Sequence, residues 1–417
     1  MEDISLSRRH FIVALSGTVA AAGASISAVR SLAAKSSPRP APEGMPLPDC
    51  PTVHIHAQDV AHIVWGIKTG LCTGFVEYGE TEKLDQVATG AVMGLHQADN
   101  RVLSIPLRGI KPGRKIFYRT VTVPLEFAPG VAMHHIKRGE AIVSPIHSFA
   151  VPAQDADTVK IGMWNDTHMQ EKTIAALKDA TKKFAPDLVV MNGDIADFNH
   201  EQEMTTACLM ETKGGIATSL WPMVFSRGNH DVRGYFATLL PRHIPPMSAE
   251  GYCGMLRFGP VAMLVMDTGE DSGKEGAFYG GMVASTEYCE QQARWLEKAL
   301  ADPRFTSAPF RLLFCHIPLR GPDACPHAAK AWTGLLAKSK IQAVLSGHTH
   351  SFWHDKPTAA QPYYQIDGGG PQTVSTGWSP TPATLTEVTA TRAALRIRVA
   401  EIASGKEHLT LNLKPTA

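Results

Sequence analysis

The sequence predicts an N-terminal all-β sandwich followed by an α/β layered domain. Three observations predict it: short β-type runs broken by Gly and Pro fill the first part, apolar strand-length runs alternate with helical patterns in the second, and Asp, Asn and His follow those later strands one after another. The 417 residues exceed the usual size of one domain. With 44% hydrophobic and 19% charged residues, the chain has enough apolar side chains for sizeable cores, and wholesale disorder is excluded. A formal net charge of +1 argues against a nucleic-acid partner held by bulk electrostatics and leaves only a local basic groove.

Residues 1–34 read as an export signal rather than as part of the fold. Ser7-Arg8-Arg9-His10-Phe11-Ile12 sets two arginines before an uncharged stretch, 11–29, rich in Ala, Gly, Ser and Thr. This resembles a twin-arginine signal, which implies the twin-arginine export machinery as a partner and a periplasmic or secreted location. A membrane anchor and an ordinary Sec signal are the other readings. The stretch is long enough to span but weakly hydrophobic, so no permanent membrane anchor is expected. Ser31-Leu32-Ala33 suits cleavage, and the Pro- and Ser-rich residues 35–51 read as a linker. The 7 cysteines are an odd number and none has CxxC spacing. Twin-arginine export carries folded proteins, so folding precedes the oxidising compartment and no disulfide is assigned.

Residues 52–152 carry the β-type runs. Ala61–Trp65, Thr73–Tyr78, Val102–Leu107 and Lys115–Val121 all read as strands, and their spacing suggests a sandwich. Gln154–Asp157 reads as a linker, and residues 158–417 form the second domain. There Val159–Trp164 is a strand, and Thr173–Phe184 places Ile174, Leu177, Thr181 and Phe184 on one helical face. Asp187–Met191, Met223–Ser226, Val261–Met266, Arg311–Cys315 and Ile341–Ser346 are further strands. Glu290–Leu300 and Ala328–Lys338 are helices, and Ala383–Leu413 returns to strands.

The chemistry lies just past those strands. Asp166 and His168 follow the first, Gly193-Asp194 the second and Gly228-Asn229-His230-Asp231 the third; His316 and Gly347-His348-Thr349-His350 follow the last two. Ligands of open α/β sheets bind beyond the carboxyl ends of the strands, so five strands would deliver Asp, Asn and His to one rim. Imidazole with carboxylate and amide oxygen suits Mn, Fe or Zn, and two such ions can clamp an in-line displacement. A closed structural zinc site is disfavoured because the set contains no Cys.

The ordered set D-x-H, G-D, G-N-H-D, H and G-H-T-H, spanning about residues 160–354, resembles that of the calcineurin-like metallophosphoesterase superfamily. The resemblance implies an α-β-β-α layered fold and a small phosphoester as substrate. It also implies two divalent ions, the pair undetermined, and attack by a hydroxide bridging them. One ion would take Asp166, His168, Asp194 and His350; the other Asp194, Asn229, His316 and His348. His230 matches the general acid, and Asp231 the residue expected to orient it. The stretch "IVWGI…GFVEYG…IPLRGIKPGRKIFYRTV" is similar to the fibronectin-III-like domain that precedes the catalytic domain in purple acid phosphatases, with Trp65 filling its core and Pro112-Gly113 turning before Tyr118. In purple acid phosphatases a tyrosine three residues past the bridging aspartate ligates iron. Here that position is Asp197, so no purple colour is expected.

Other residues leave two readings each. His54 and His56, with His62 nearby, either bind a metal or, as expected here, line an exposed strand face. Asp197, Asn199 and His200 either face substrate or cap a helix. Arg227 either meets phosphate or pairs with an acid. Cys315 reads as core, its side chain pointing away from that of His316. Met133-His134-His135 reads as loop. Gly269–Gly281, with Tyr279, either overhangs the site or is solvated. Two rival functions stand beside the phosphomonoesterase or diesterase: a metal-dependent nuclease, which the near-neutral charge disfavours, and a non-catalytic binding protein that uses the sandwich.

Overall fold

The computed structural model describes residues 51–68, 70–127, 136–201, 209, 215–216, 219–270 and 283–416. The signal and most of the linker, Met133-His134-His135, Tyr279 and most of the loop following His200 lie outside these residues.

The first part contributes β1 (Thr52–Ala57), β2 (Val60–Gly66), β3 (Leu71–Gly79), β4 (Gln86–Thr89), β5 (Ala98–Asp99), β6 (Val102–Arg108), β7 (Lys115–Phe127), β8 (Ile136–Arg138), β9 (Ile142–Val143) and β10 (His147–Ala150). One sheet runs β10-β7-β3-β4, with β5 on β3 and with β8 and β9 on β7. β1, β2 and β6 form the layer opposite. Trp65, on β2, is fully buried between the layers, and its indole N–H donates to Thr122 Oγ1 on β7 at 2.8 Å. Gly74 on β3 makes room for that ring, since a Cβ there would lie 2.8 Å from it.

The second part adds β11 (Thr158–Trp164), α1 (Glu171–Phe184), β12 (Leu188–Asn192), β13 (Pro222–Ser226), α2 (Leu240–His243), β14 (Gly254–Phe258), β15 (Val261–Val265), α3 (Ser285–Ala301), α4 (Pro303–Thr306), β16 (Phe310–Phe314), α5 (Pro326–Leu336), β17 (Ala343–Ser346), β18 (Trp353–Asp355), β19 (Tyr364–Asp367), β20 (Thr384–Thr391), β21 (Leu395–Glu401) and β22 (Glu407–Leu413). α1 buries Ile174, Leu177 and Thr181 on one face and stops where Ala185 turns left-handed before Pro186.

Two mixed sheets result: β22-β21-β20-β11-β12-β13-β1-β2-β6, and β14-β15-β16-β17-β19-β18. Alternation along the strands sorts the side chains into layers. Ile161, Met163, Val190 and Val224 of the first sheet pack on Met263, Leu312, Phe314 and Leu345 of the second. On the outer faces, α1 packs on Val189 and Met191 while α3 and α5 cover Leu264, Leu313 and Val344. The layering is therefore α-β-β-α, with the sandwich strands attached at one edge.

That attachment changes one expectation. β1 runs parallel to β13, pairing Val53 with Pro222 and His54 with Met223, so strand pairing is continuous from the sandwich into the α/β part. β1 is an interior strand, and His54 is only 3% exposed. The expected exposed face at His54 is thus corrected, because β1 has strand partners on both sides and the His54 side chain is buried against the elements packed on that sheet. The His56 and His62 rings stack beside it at 4.2 Å.

Candidate metal centre

β11, β12, β13, β16 and β17 end at the same rim, and the turns beyond them carry every predicted ligand. The turns are tight. Asp166 (φ 51°), His168 (41°), Asp194 (52°), His348 (75°) and His350 (52°) all adopt the left-handed region that non-glycine residues avoid. Such strain costs about 1–3 kcal/mol per residue and persists only where surrounding contacts over-determine the turn. Those contacts are present: the Asp166 N–H donates to Gly193 O at 3.1 Å and the His168 N–H to Asp194 O at 3.0 Å. Gly193 is required for closeness, since a Cβ there would sit 2.5 Å from the His316 ring.

The ligand atoms converge as two groups that share one carboxylate, and a third group, His168, Asp197 and His230, adjoins them. Asp166, His168, Asp194 and His350 offer donor atoms all within 4.8 Å of one another, and so do Asp194, His316 and His348. In the first group His168 Nε2 lies 3.1 Å from His350 Nε2 and 3.5 Å from Asp194 Oδ2, and His350 Nε2 lies 3.4 Å from Asp166 Oδ1. In the second His316 Nε2 is 3.1 Å from Asp194 Oδ2. Asn229 joins it, its Oδ1 3.1 Å from His348 Nδ1. All seven predicted ligands thus sit together.

The hydrogen bonds around them call for cations. His316 Nδ1–H donates to Asn192 O at 2.7 Å, His350 Nδ1–H to Trp378 O at 2.8 Å and His168 Nδ1–H to Asp197 Oδ1 at 2.6 Å. Those bonds place the lone pair of each neutral ring on Nε2, facing other lone pairs and carboxylate oxygens. His316 Nε2 is buried, and its nearest polar neighbour is the Asp194 carboxylate, with Oδ2 at 3.1 Å. Electron pairs packed so closely repel unless a proton or a metal ion lies between them. Protons show the strength of the field: burial alone would push the His316 pKa down, yet Asp194 and Asp166 carry it up to about 10. Asp166 and Asp194, despite burial, are held below the usual carboxylate range by His316, with His350 and His168 adding to the effect. Nitrogen and oxygen donors without sulfur fit Mn, Fe or Zn.

His230 stands beside this cluster, its ring 4.7 Å from that of His168. Its Nδ1–H donates to Asp197 O at 3.0 Å, and Arg233 Nη1 donates to its Nε2 at 2.7 Å. Burial lowers its pKa; Asp194 opposes this, and His168 and Arg233 add to the lowering. Asp231 does not orient that ring. Its carboxylate accepts the backbone N–H groups of Gly228 at 2.8 Å, Asp194 at 2.9 Å and Ile195 at 3.1 Å. The expected catalytic role is corrected to a positioning one: Asp231 ties the turn carrying Asn229 to the turn carrying Asp194. Backbone spacing explains this, because adjacent side chains in the short turn at 230–232 diverge.

The remaining candidates divide. Arg227 pairs with buried Asp267 at 2.8 Å rather than facing phosphate. Asn199 donates to Asp231 O at 3.0 Å and is buried, so it braces the loop. His200 stacks on Phe198 at 5.1 Å. Cys315 is buried core, as expected. Sequence reasoning missed Asn165, whose amide donates to Asp166 Oδ2 at 2.6 Å, together with Arg233, Phe198 and Trp378. The adjacency of Asn165 to a ligand was the only available signal; the others reach the site through tertiary packing.

Residues 159–352 match the family model of the calcineurin-like phosphoesterases. The chain carries a calcineurin-like metallophosphoesterase domain. It is therefore a hydrolase acting on phosphoester bonds. The metallophosphoesterase fold is shared with solved structures of low identity. A purple acid phosphatase from yellow lupin (Lupinus luteus) seeds superposes with a TM-score of 0.63 at 14% identity, covering 89% of this chain and 74% of that one. PhoD superposes with a TM-score of 0.59 at 11% identity, covering 90% of each chain. No curated protein matches the chain in sequence.

Proposed function

We propose that this metallophosphoesterase is an exported enzyme that uses two divalent ions to hydrolyse phosphate mono- or diesters, with His230 as general acid. One observation carries the reading: Asp194 belongs to both donor groups, as a carboxylate shared by two ions must. Ions bound by these residues would lower the pKa of a shared water and neutralise phosphoryl charge. The protein supplies the rest. Asp197 O holds Nδ1–H of His230, so Nε2 is the atom that would carry the acid proton, once Arg233, which donates to it here, turns to a phosphoryl oxygen. Arg233 lies against that nitrogen and offers a cation to a phosphoryl oxygen. Asp166 is fixed by Asn165 and by the His348 N–H, which keeps an acceptor oxygen aimed into the cluster.

Export rests on the paired Arg8 and Arg9 before the uncharged stretch, and a fibronectin-III-like reading of residues 52–152 rests on the Trp65-centred sandwich. The test is the mature protein reconstituted with Mn, Fe or Zn and assayed on a panel of phosphomonoesters and phosphodiesters. Turnover with close to two ions bound is expected. Asp194→Asn should lose metal, and full occupancy in that variant by elemental analysis would exclude the shared carboxylate.

A further inference from the structure

Among the described residues, three aromatic side chains stand in solvent: Phe198 at 41% exposure, Tyr235 at 77% and Trp378 at 42%. Two of them flank the metal centre. Trp378 lies 5.3 Å from the His168 ring and 5.7 Å from the His350 ring, both at steep angles. Phe198 lies 6.0 Å from the His230 ring. Each is anchored to the site through the backbone. The Trp378 carbonyl takes the His350 N–H, and Phe198 follows Asp197, whose carbonyl takes the His230 N–H. The rings are thus fixed beside a cluster that otherwise consists of polar donors.

An exposed aromatic forgoes the favourable burial of its face. When a phosphoryl group sits among the ligands, these rings are the apolar surface beside it that the substituent it carries can meet. A flat aromatic substituent would cover the rings by stacking, whereas a small hydroxylated alkyl group would leave them wet. We infer that the leaving group of the substrate is planar and aromatic, a nucleobase-bearing alcohol or an aryl alcohol, and that Phe198 and Trp378 select it. The inference rests on the phosphoesterase reading of the site.

Adenosine 5′-monophosphate and glycerol 3-phosphate both release a primary alkoxide, so comparing them isolates recognition from intrinsic reactivity. 2-Naphthyl phosphate supplies the aryl arm. The manganese-loaded protein should favour at least one aromatic ester over glycerol 3-phosphate by about tenfold or more in kcat/KM, the size of one or two stacking contacts. Phe198→Ala and Trp378→Ala should each cut that ratio about fivefold, and Trp378→Phe should restore most of it at equal metal content. Which aromatic ester is favoured identifies the source of the ring. A ratio near one in the unaltered protein, or a ratio that both alanine variants leave unchanged, would overturn the inference. Calorimetric binding of the same esters gives the ratio without turnover. If no ester is hydrolysed while the aromatic ones still bind better through both rings, the phosphoesterase reading fails and the aromatic rim stands.

Discussion

Asp197→Ala tests the physical account of the centre at a residue that is not itself a predicted ligand. Its carboxylate accepts His168 Nδ1–H at 2.6 Å, which fixes the tautomer and aim of Nε2 toward the first donor group. Outer partners of metal-bound histidines change affinity by about 10- to 100-fold, or about 1.4–2.8 kcal/mol. The Asp197 side chain is 44% exposed, so solvent screens part of its charge and the lower half of that range is expected. Asp197→Asn keeps an oxygen acceptor without the charge and should fall between Ala and the parent. The assay is a competition titration of Mn or Zn against a chelating dye, with elemental analysis for stoichiometry. Weakening should fall on one ion of the two, because His316 and His348 take no part in this hydrogen bond. A tightest-site affinity and stoichiometry in Asp197→Ala within threefold of the parent for both ions would show that His168 needs no such support.

Further outcomes follow from the same contacts. His230→Ala should lower turnover by about 10²–10⁴ while the two groups that share Asp194, to which His230 does not belong, keep their metal; unaltered turnover of a good ester would remove it as the acid. Gly228→Ala would drive a methyl into the Asp194 carboxylate, so metal uptake and thermal stability should fall together; a variant with parental melting and metal content would contradict the close packing. Stability should also depend on pH through the buried histidines. Burial, with His62 adding, lowers the His54 pKa to about 3, below its unfolded value. The stabilisation is thus complete above the unfolded pKa near 6.5 and is lost as pH falls toward 3, costing up to about 2 kcal/mol by pH 5. Denaturant midpoints from pH 8 to 5 should show that slope, and His54→Phe should flatten it.

Much of the centre was legible in the chain because each ligand sits at a fixed offset from a strand. Asp166, Asp194, Asn229, His316, His348 and His350 follow apolar runs whose length and composition mark buried strands, and parallel strands must bring their ends to one edge. The elements around them were legible for the same reason, most with boundaries shifted by a residue or two, although α3 begins at Ser285, five residues before the expected Glu290. What faces what was not legible. Asp231 looks like a partner for His230 in sequence, yet its carboxylate turns to backbone amides across the loop. His54 alternates like a surface residue, yet β1 is interior because it pairs with β13, more than 150 residues away. Arg233, Phe198 and Trp378 carry no spacing signal.

The sequence by itself determined the strands and the metal-type donors at their ends, because local periodicity and residue type suffice for these. Only the tertiary structure decided which hydrogens are fixed, which nitrogens face into the donor cluster and which rings rim the site. Those depend on hydrogen bonds and packing between residues far apart in the chain, which no local pattern records.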